Sequence, residues 1–507
     1  MALKTKQYLE NSWYRWASQD RQTWYAAQYQ YWYGVNTRDM KNWVCLAWWK
    51  TDSSTKYNYD FVFFQNDWKL YIFNTNWQII DVDTWTVKCT VTPSWAYRII
   101  YAESFWDDIY VSIWNKLYAV DSSLWTSTDI TPWAYAWTTW WLLNYANTFL
   151  LAWSYNEVWK FDWISPWSKI REFKTWYTVK WLTQEWNYLK IYTSDWQNTK
   201  IHYAKWTFDV EYTWLIQTVS FPWLNIEARD VTADQWNDYV IFEADSWEYK
   251  LAKMSWYNKT DIRWTQTWWT QKVFTSTDPV IKASDWVVFA AMEDWIRTFI
   301  EYNWWLWWGC CEFPIASTET VKDMYRFWER LYACVYDSVL QKYILRYYDM
   351  SFHPASYQPS WFIISRVFDW WCWSLFKKNV QATITYNMPT DTSMELSYRY
   401  DRSSFEYDKS NFLSIKELTD TNECYDIVFP TTPWKQDDNL LALENWTDNI
   451  LLENWNKILL EDLLVCPFNK TWNYLEYRMD LSTTDTTKTP ILFEHSLLYD
   501  DRVRKYR

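Results

Sequence analysis

The sequence predicts an all-β fold: a β-propeller of about seven blades, an antiparallel β-sandwich after it and an extended arm before it. Three observations carry this expectation. From Tyr59 onward, short β-branched and aromatic runs alternate with Asn, Asp and Thr turn signals, the texture of strands rather than helices. These runs fall into groups of three or four at irregular spacings of about 40 residues, the length of one propeller blade. Beyond about Asp369 the runs become strictly alternating and are separated by Pro, Thr and Asp, over a stretch of about 100 residues that suits a two-sheet sandwich.

Taken in order, residues 1–59 are polar and weakly periodic and read as an extended arm. Its opening, MALKTKQYLENS, carries no apolar signal-peptide core. Residues 60–368 form the propeller segment. Runs at 61–65, 69–74 and 78–83 make the first group, 98–103, 108–113 and 116–121 the second, and 141–146, 148–153 and 157–162 the third. Further groups lie at 179–202, 229–254, 280–303 and 323–349. Two packed sandwiches would also yield many short strands. The recurring order of strand, Asn/Asp turn, Lys-Leu-Tyr strand and Asp, as in FFQNDWKLYIFNTNWQIIDVD and DDIYVSIWNKLYAVD, favours blades. Alternation makes Leu70, Ile72, Ile79 and Val82 candidates for packing between blades. Residues 369–507 form the sandwich, with alternating runs at 380–387, 394–401, 425–429, 474–481 and 491–499. An insertion at 438–464 repeats in nines, DNLLALENW, TDNILLENW and NKILLEDLL, and predicts a small meander or solenoid rung.

The chain has 50 Trp and 2 Gly in 507 residues. Ordinary usage would give about 35 Gly. The tryptophans stand where turns ask for glycine: Asp67-Trp68, Asn76-Trp77, Asp195-Trp196, Asp285-Trp286, Asn445-Trp446 and Asn454-Trp455 each separate short apolar runs. Asn-Gly and Asp-Gly belong at such sites because tight hairpins need positive φ, which a Cβ penalises. UGA specifies glycine in some bacterial lineages and their viruses. A gene of that kind, written with UGA as tryptophan, would give this sequence. The competing reading, a tryptophan surface for stacking on sugars, would place the rings at alternate strand positions instead.

The formal net charge of −13 argues against a surface that tracks phosphates nonspecifically. No run of about 18 apolar residues is present, so no membrane span is expected. The eight cysteines at 45, 89, 310, 311, 334, 372, 424 and 466 lack metal-ligand spacing and read as mostly reduced core thiols, with no metal site and no disulfide framework. Signals for catalysis are thin. His202, His353 and His495 have no nucleophile motif beside them, and a lone strand histidine is ordinarily structural. Ser194-Asp195-Trp196 with Trp206 faintly resembles a sialidase turn motif at the wrong spacing. The pairs Asp107-Asp108, Asp437-Asp438 and Asp500-Asp501 are what 62 acidic residues produce in solvated turns, and no calcium loop closes around them. Neither Gly34 nor Gly309 lies in a phosphate-cradling loop. Trp370-Trp371-Cys372-Trp373, restored to Gly-Gly-Cys-Gly, reads as a flexible joint. No catalytic, cofactor-binding or metal residue is therefore assigned, and no cofactor is expected.

Three phrases carry a resemblance to a family. YGVNTRDMKNWVCLAWW at 33–49 resembles the G-(L/V)-N-T-R-D opening of β-propeller virion proteins of tailed bacteriophages, associated with the tail or neck. SMELSYRYDRSSF at 393–405 is similar to their Tyr-Arg-x-Asp strand. The carboxyl end, 468–501, resembles their closing sandwich strands through Y-L-x-x-R-x-x-L at 474–481 and K-T-P-I-L at 488–492. The resemblance covers about 60 residues in wording and most of the chain in texture. It implies a non-enzymatic structural protein of the virion, an assembly and contact scaffold in the tail or the neck between head and tail. Its partners would be other virion subunits and copies of itself, as an oligomer or ring, with no direct nucleic-acid or membrane binding. The alternatives are a propeller that binds a host-surface receptor or glycan and, after it, a glycan hydrolase; fold alone does not separate these.

Overall fold

In the computed structural model the described residues are 5–10, 29–33, 35–37, 44–46, 50–93, most of 100–365, 375–399, 409, 413–419, 462–467, 471–472 and 476–503. Among them the regular structure is β-strand, with no α-helix. The chain divides into two compact units, residues 48–354 and residues 1–47 together with 355–507.

The 48–354 unit contains seven four-stranded antiparallel sheets among the described residues, each a meander in chain order apart from the last. They span 61–90, 100–129, 141–172, 178–218, 226–263 and 281–314, and the seventh joins 319–349 to an earlier strand, Lys50–Tyr57. These are called blades one to seven. Their first strands are Phe61–Asn66, Ile100–Phe105, Trp141–Tyr145, Thr178–Glu185, Ile226–Ala233, Ile281–Ser284 and Glu319–Phe327. Each neighbours the first strand of the next blade, and the seventh neighbours the first, so they close a ring. The arrangement is propeller-like, and the groups of runs in the sequence correspond to its sheets.

The apolar side chains explain why the sheets stack. In Lys69–Asn74, Leu70 and Ile72 pack toward blade seven with Tyr332, Cys334 and Leu345, while Tyr71 and Phe73 pack toward blade two with Ile109 and Val111. A strand buried on both faces reads as a continuous apolar run. Val82 lies with the first group and Ile79 with the second, so all four residues expected between blades lie there. Further clusters join the following blades, with Phe105, Tyr110, Trp140 and Leu150 between two and three, and Leu151, Val158, Leu182 and Ile191 between three and four. Each fully buried side chain of this kind contributes about 1.5–3 kcal/mol.

The expected arm at 1–59 is corrected by the strand pairing. Lys50–Tyr57 is the outer strand of blade seven, antiparallel to Lys342–Asp349 with Tyr57 opposite Tyr343 and Lys50 opposite Tyr348. Thr5–Glu10 pairs along Ile491–Val503, from Thr5 opposite Asp500 to Glu10 opposite His495. Tyr29–Tyr33 pairs with Ser360–Ser365, and Val35–Thr37 with Val44–Leu46. The physical reason is that a backbone segment finds partners for its N–H and C=O groups most readily along an open sheet edge. The boundaries expected at 59/60 and 368/369 accordingly differ from the observed division at 47/48 and 354/355.

Among the described residues the second unit holds two sheets. One runs Val35–Thr37, Val44–Leu46, Ile491–Val503, Leu375–Asn387 and Asp462–Pro467, with Thr5–Glu10 and Thr471–Trp472 attached at its sides. The other runs Tyr29–Tyr33, Ser360–Ser365, Glu476–Thr483, Thr392–Arg399 and Leu413–Thr419. Met394, Leu396 and Tyr398, facing Leu481, Met479 and Tyr477 across the pairing, are all buried, which is the two-residue alternation read from the sequence. The run at 425–429, most of the nine-residue repeats and the joint at 370–373 lie outside the described residues; positions 462–464 open the strand Asp462–Pro467.

Candidate functional site

The first strands bring together, at the axis of the ring, residues that lie up to about two hundred positions apart in sequence. Tyr101 and Glu103 come from blade two, Asp230 from blade five, Lys282 from blade six, and Asp323 and Tyr325 from blade seven. Two of the carboxylates are aimed by the same backbone device. The pairing register slips between Ala228 and Asp230 in blade five, and between Val321 and Asp323 in blade seven, so Arg229 and Lys322 are the extra residues of β-bulges. A bulge re-aims the side chain that follows it.

Each re-aimed aspartate accepts two backbone hydrogen bonds. Asp230 takes the N–H of Val231 at 2.9 Å on Oδ1 and that of Ile281, in blade six, at 2.7 Å on Oδ2. Asp323 takes Met324 N–H and, from blade one, Phe63 N–H, both at 2.8 Å. Blade four has the same register slip between Val179 and Trp181, with no carboxylate after it; Trp181 instead lies 5.4 Å, ring centre to ring centre, from Trp141 of blade three. Other joints use hydroxyl, amide and guanidinium groups. Ser104 donates to Gln65 O at 2.6 Å and Asn144 to Ser104 O at 2.8 Å, Thr232 accepts Ala283 N–H at 2.9 Å, and Arg326 donates to Ser284 O at 3.2 Å.

Burial dominates the electrostatics of the axis. It pushes Glu103 and Asp230 up to about 7 and Asp323 up to about 6, against the opposing pull of Lys282 and of the backbone donors. These side chains keep some exposed surface. They are therefore not sealed in a dry core, and solvent screening reduces the effect of such shifts. Burial and the nearby acids also raise Tyr101, while Tyr325 lies under Lys282, whose Nζ is 4.9 Å from its ring centre. With their carboxyls raised, the three acids can hold protons closer to neutrality than free carboxyls do. Among the described residues no group of three or more His, Cys, Asp or Glu is placed to hold a metal ion.

Two further polar clusters are structural in their contacts. Between blades four and five, Lys190 pairs with Asp238 at 3.1 Å, and Thr183 and Tyr192 also donate to that carboxylate. In blade seven the fully buried Arg346 holds the closing strand, with Nε and Nη2 on Asp52 at 2.6 and 3.0 Å and Nη1 and Nη2 on Glu319 at 2.6 and 2.7 Å. Burial opposes ionisation of Glu319, but Arg346 outweighs it and lowers the carboxyl to about 2.

The residues weighed in the sequence fall elsewhere. His202 is buried against Phe173, its Nε2 2.9 Å from Thr193 Oγ1, and burial lowers it to about 4. Ser194 is buried at a strand end, and Asp195 pairs with Lys200 at 3.6 Å. Asp107 and Asp108 sit at a hairpin, Asp500 and Asp501 within the strand Ile491–Val503, and His495 opposite Ile384 and Glu10. Cys89 and Cys334 are free, buried thiols. His353, Trp196, Trp206, Gly34, Asp437, Asp438, Cys372 and Cys424 lie outside the described residues. The axial residues themselves were not singled out from the sequence. The signal that marks two of them is the repeated apolar-basic-Asp phrase, Ala228-Arg229-Asp230 and Val321-Lys322-Asp323.

No protein-family model matches the chain, and no curated protein matches it. Solved structures overlap it loosely. Kluyveromyces lactis Hsv2 does so at 11% identity and a TM-score of 0.39, over 58% of this chain and 100% of that one. A chain of the Saccharomyces cerevisiae assembly of Dbp5 with Nup159, Gle1, IP6 and ADP gives 12% and 0.38, over 60% and 95%. A luciferin-regenerating enzyme gives 11% and 0.33, over 47% and 86%.

Proposed function

We propose that the chain is a non-enzymatic structural subunit of a tailed-bacteriophage virion, an assembly and contact scaffold in the tail or the neck region. The observation that carries this reading is the use of the axial carboxylates: Asp230 and Asp323 each tie their own strand to the first strand of the next blade. Carboxylates engaged in this way serve the rigidity of a ring. The wording around Asn36-Thr37-Arg38-Asp39 and at 474–492 supports the same class. On this reading the ring is a seven-bladed propeller and the two remaining sheets are the faces of a sandwich. The body acts by shape, offering blade faces and sheet edges such as Leu413–Thr419 to other virion subunits or to copies of itself. On this reading the paired segments Thr5–Glu10, Tyr29–Tyr33, Val35–Thr37 and Val44–Leu46 belong to that body.

Mass spectrometry of purified particles tests the proposal. The chain is expected in constant ratio to the other structural proteins, and its absence from particles would sink the reading. A second reading, a propeller that binds host-surface glycans, is favoured by the polar axial groups Glu103, Asp230, Lys282 and Asp323, which keep some exposed surface. Glycan binding, or glycan cleavage lost in Glu103→Gln, would move the assignment there.

A further inference from the structure

Eleven described non-glycine residues have positive φ, and seven of them are tryptophan: Trp68, Trp77, Trp85, Trp106, Trp114, Trp125 and Trp328, at 52° to 62°. Tryptophan makes up 50 of the 507 residues, so about one of the eleven would be the chance share. Left-handed backbone is a place for glycine, then Asn and Asp, and an outlier for a bulky side chain.

The hairpin registers say what these positions require. Asn66 pairs with Lys69, leaving the two-residue loop Asp67-Trp68 with φ of 47° and 60°. Two consecutive positive values make a type I′ turn, whose preferred pair is Asp-Gly or Asn-Gly. The loops Trp106-Asp107, Trp114-Asn115 and Trp328-Glu329 lie between the pairs Phe105 and Asp108, Ile113 and Lys116, and Phe327 and Arg330. In each only the first residue has positive φ, the pattern of type II′ with glycine leading. Trp77 closes a turn on Asn74 O at 2.8 Å, with Asn74 Oδ1 accepting two backbone N–H groups. Trp85 and Trp125 each donate back to an aspartate carbonyl, Asp81 and Asp121, whose side chain caps the turn. At the corresponding place after Asp337 stands Gln341, also at 52°. The side chains add little to the fold at the hairpins: Trp68 is 74% exposed, Trp328 67%, and the two face each other at 6.3 Å between ring centres.

We propose that positions 68, 77, 85, 106, 114, 125 and 328 are glycine in the native protein, encoded by UGA and written here as tryptophan. This stands independently of the virion reading. The test joins the gene to the protein made in its own host. The codon is read at each of the seven positions, and peptides of the native protein that span them are sequenced by mass spectrometry. UGA codons with glycine in the peptides, each lighter than its tryptophan counterpart by an indole-bearing side chain, is the result expected. UGG at these positions, or UGA with tryptophan in the peptides, overturns the proposal. Neither outcome depends on whether the chain is found in particles.

Discussion

At the scale of the residue, a tryptophan at φ near 55° carries a cost that needs no partner to explain it: its Cβ crowds the following carbonyl, at about 1–2 kcal/mol per position. In the chain as written, Trp68→Gly, Trp106→Gly and Trp328→Gly are each expected to raise the melting temperature of the 48–354 unit by a few degrees. Calorimetry of the three single variants and the triple variant checks this, and the increment of Trp106→Gly is expected to add to the others, while those of Trp68→Gly and Trp328→Gly, whose rings face each other at 6.3 Å, are expected to couple. Glu103 supplies a second test. Its carboxyl is raised in the folded state, so the native protein holds more protons than the unfolded chain between about pH 4 and 7, and its stabilising contribution is fully present below pH 4 and lost as pH rises through 7. His202 acts in the opposite sense, its contribution being lost as pH falls from about 6.5 through 4. Comparing wild type with Glu103→Gln cancels the histidine. The variant should gain relative stability from pH 5 to 7.5, and a pH-independent difference would show that the carboxyl is not shifted.

At the scale of the element, the ring depends on side chains that cross from one sheet to the next. Asp323→Ala leaves Phe63 N–H and Met324 N–H without their acceptor, a loss of about 1–3 kcal/mol for each group that water does not reach. Faster hydrogen exchange confined to Phe61–Asn66 and Glu319–Phe327 is the expected signature. Arg346 is the counterpart at the rim. Arg346→Met strands Asp52 and Glu319 without their cation, and breaking such a buried network typically costs about 3–5 kcal/mol. Amides of Lys50–Tyr57 should then exchange first. Acid weakens the same clamp, because stability from a lowered Glu319 is present above about pH 4.5 and fades as pH falls through 2. Which elements could be read in advance follows from this division of labour. Phe61–Asn66 and Lys69–Asn74 were legible because both faces are apolar and a turn dipeptide separates them. Lys50–Tyr57, KTDSSTKY, was not, since an outer strand facing water needs no apolar period. Glu103, Asp230 and Asp323 were hidden because only ring closure makes them neighbours, and the bulges that aim two of them leave a trace of a single extra residue.

At the scale of the whole molecule, the two units predict where a protease cuts. Limited digestion should release 48–354 as a persistent fragment, with early cleavage near 47 and 354; persistent nicks between blades one and three would contradict the closed ring. The blade order was legible because each meander is local in sequence, while the pairings of Thr5–Glu10 and Tyr29–Tyr33 were not, because their partners lie hundreds of residues away. That pairing also sets an order of events during synthesis. Arg346 is made 294 residues after the Asp52 it holds, so at about 5–20 residues per second the first strand of the ring waits roughly 15–60 s for its blade. Thr5–Glu10 waits longer still, for Ile491–Val503. The nascent chain therefore carries two unpaired edges through these intervals, and slow elongation or a crowded polysome lengthens the time in which another copy could occupy them.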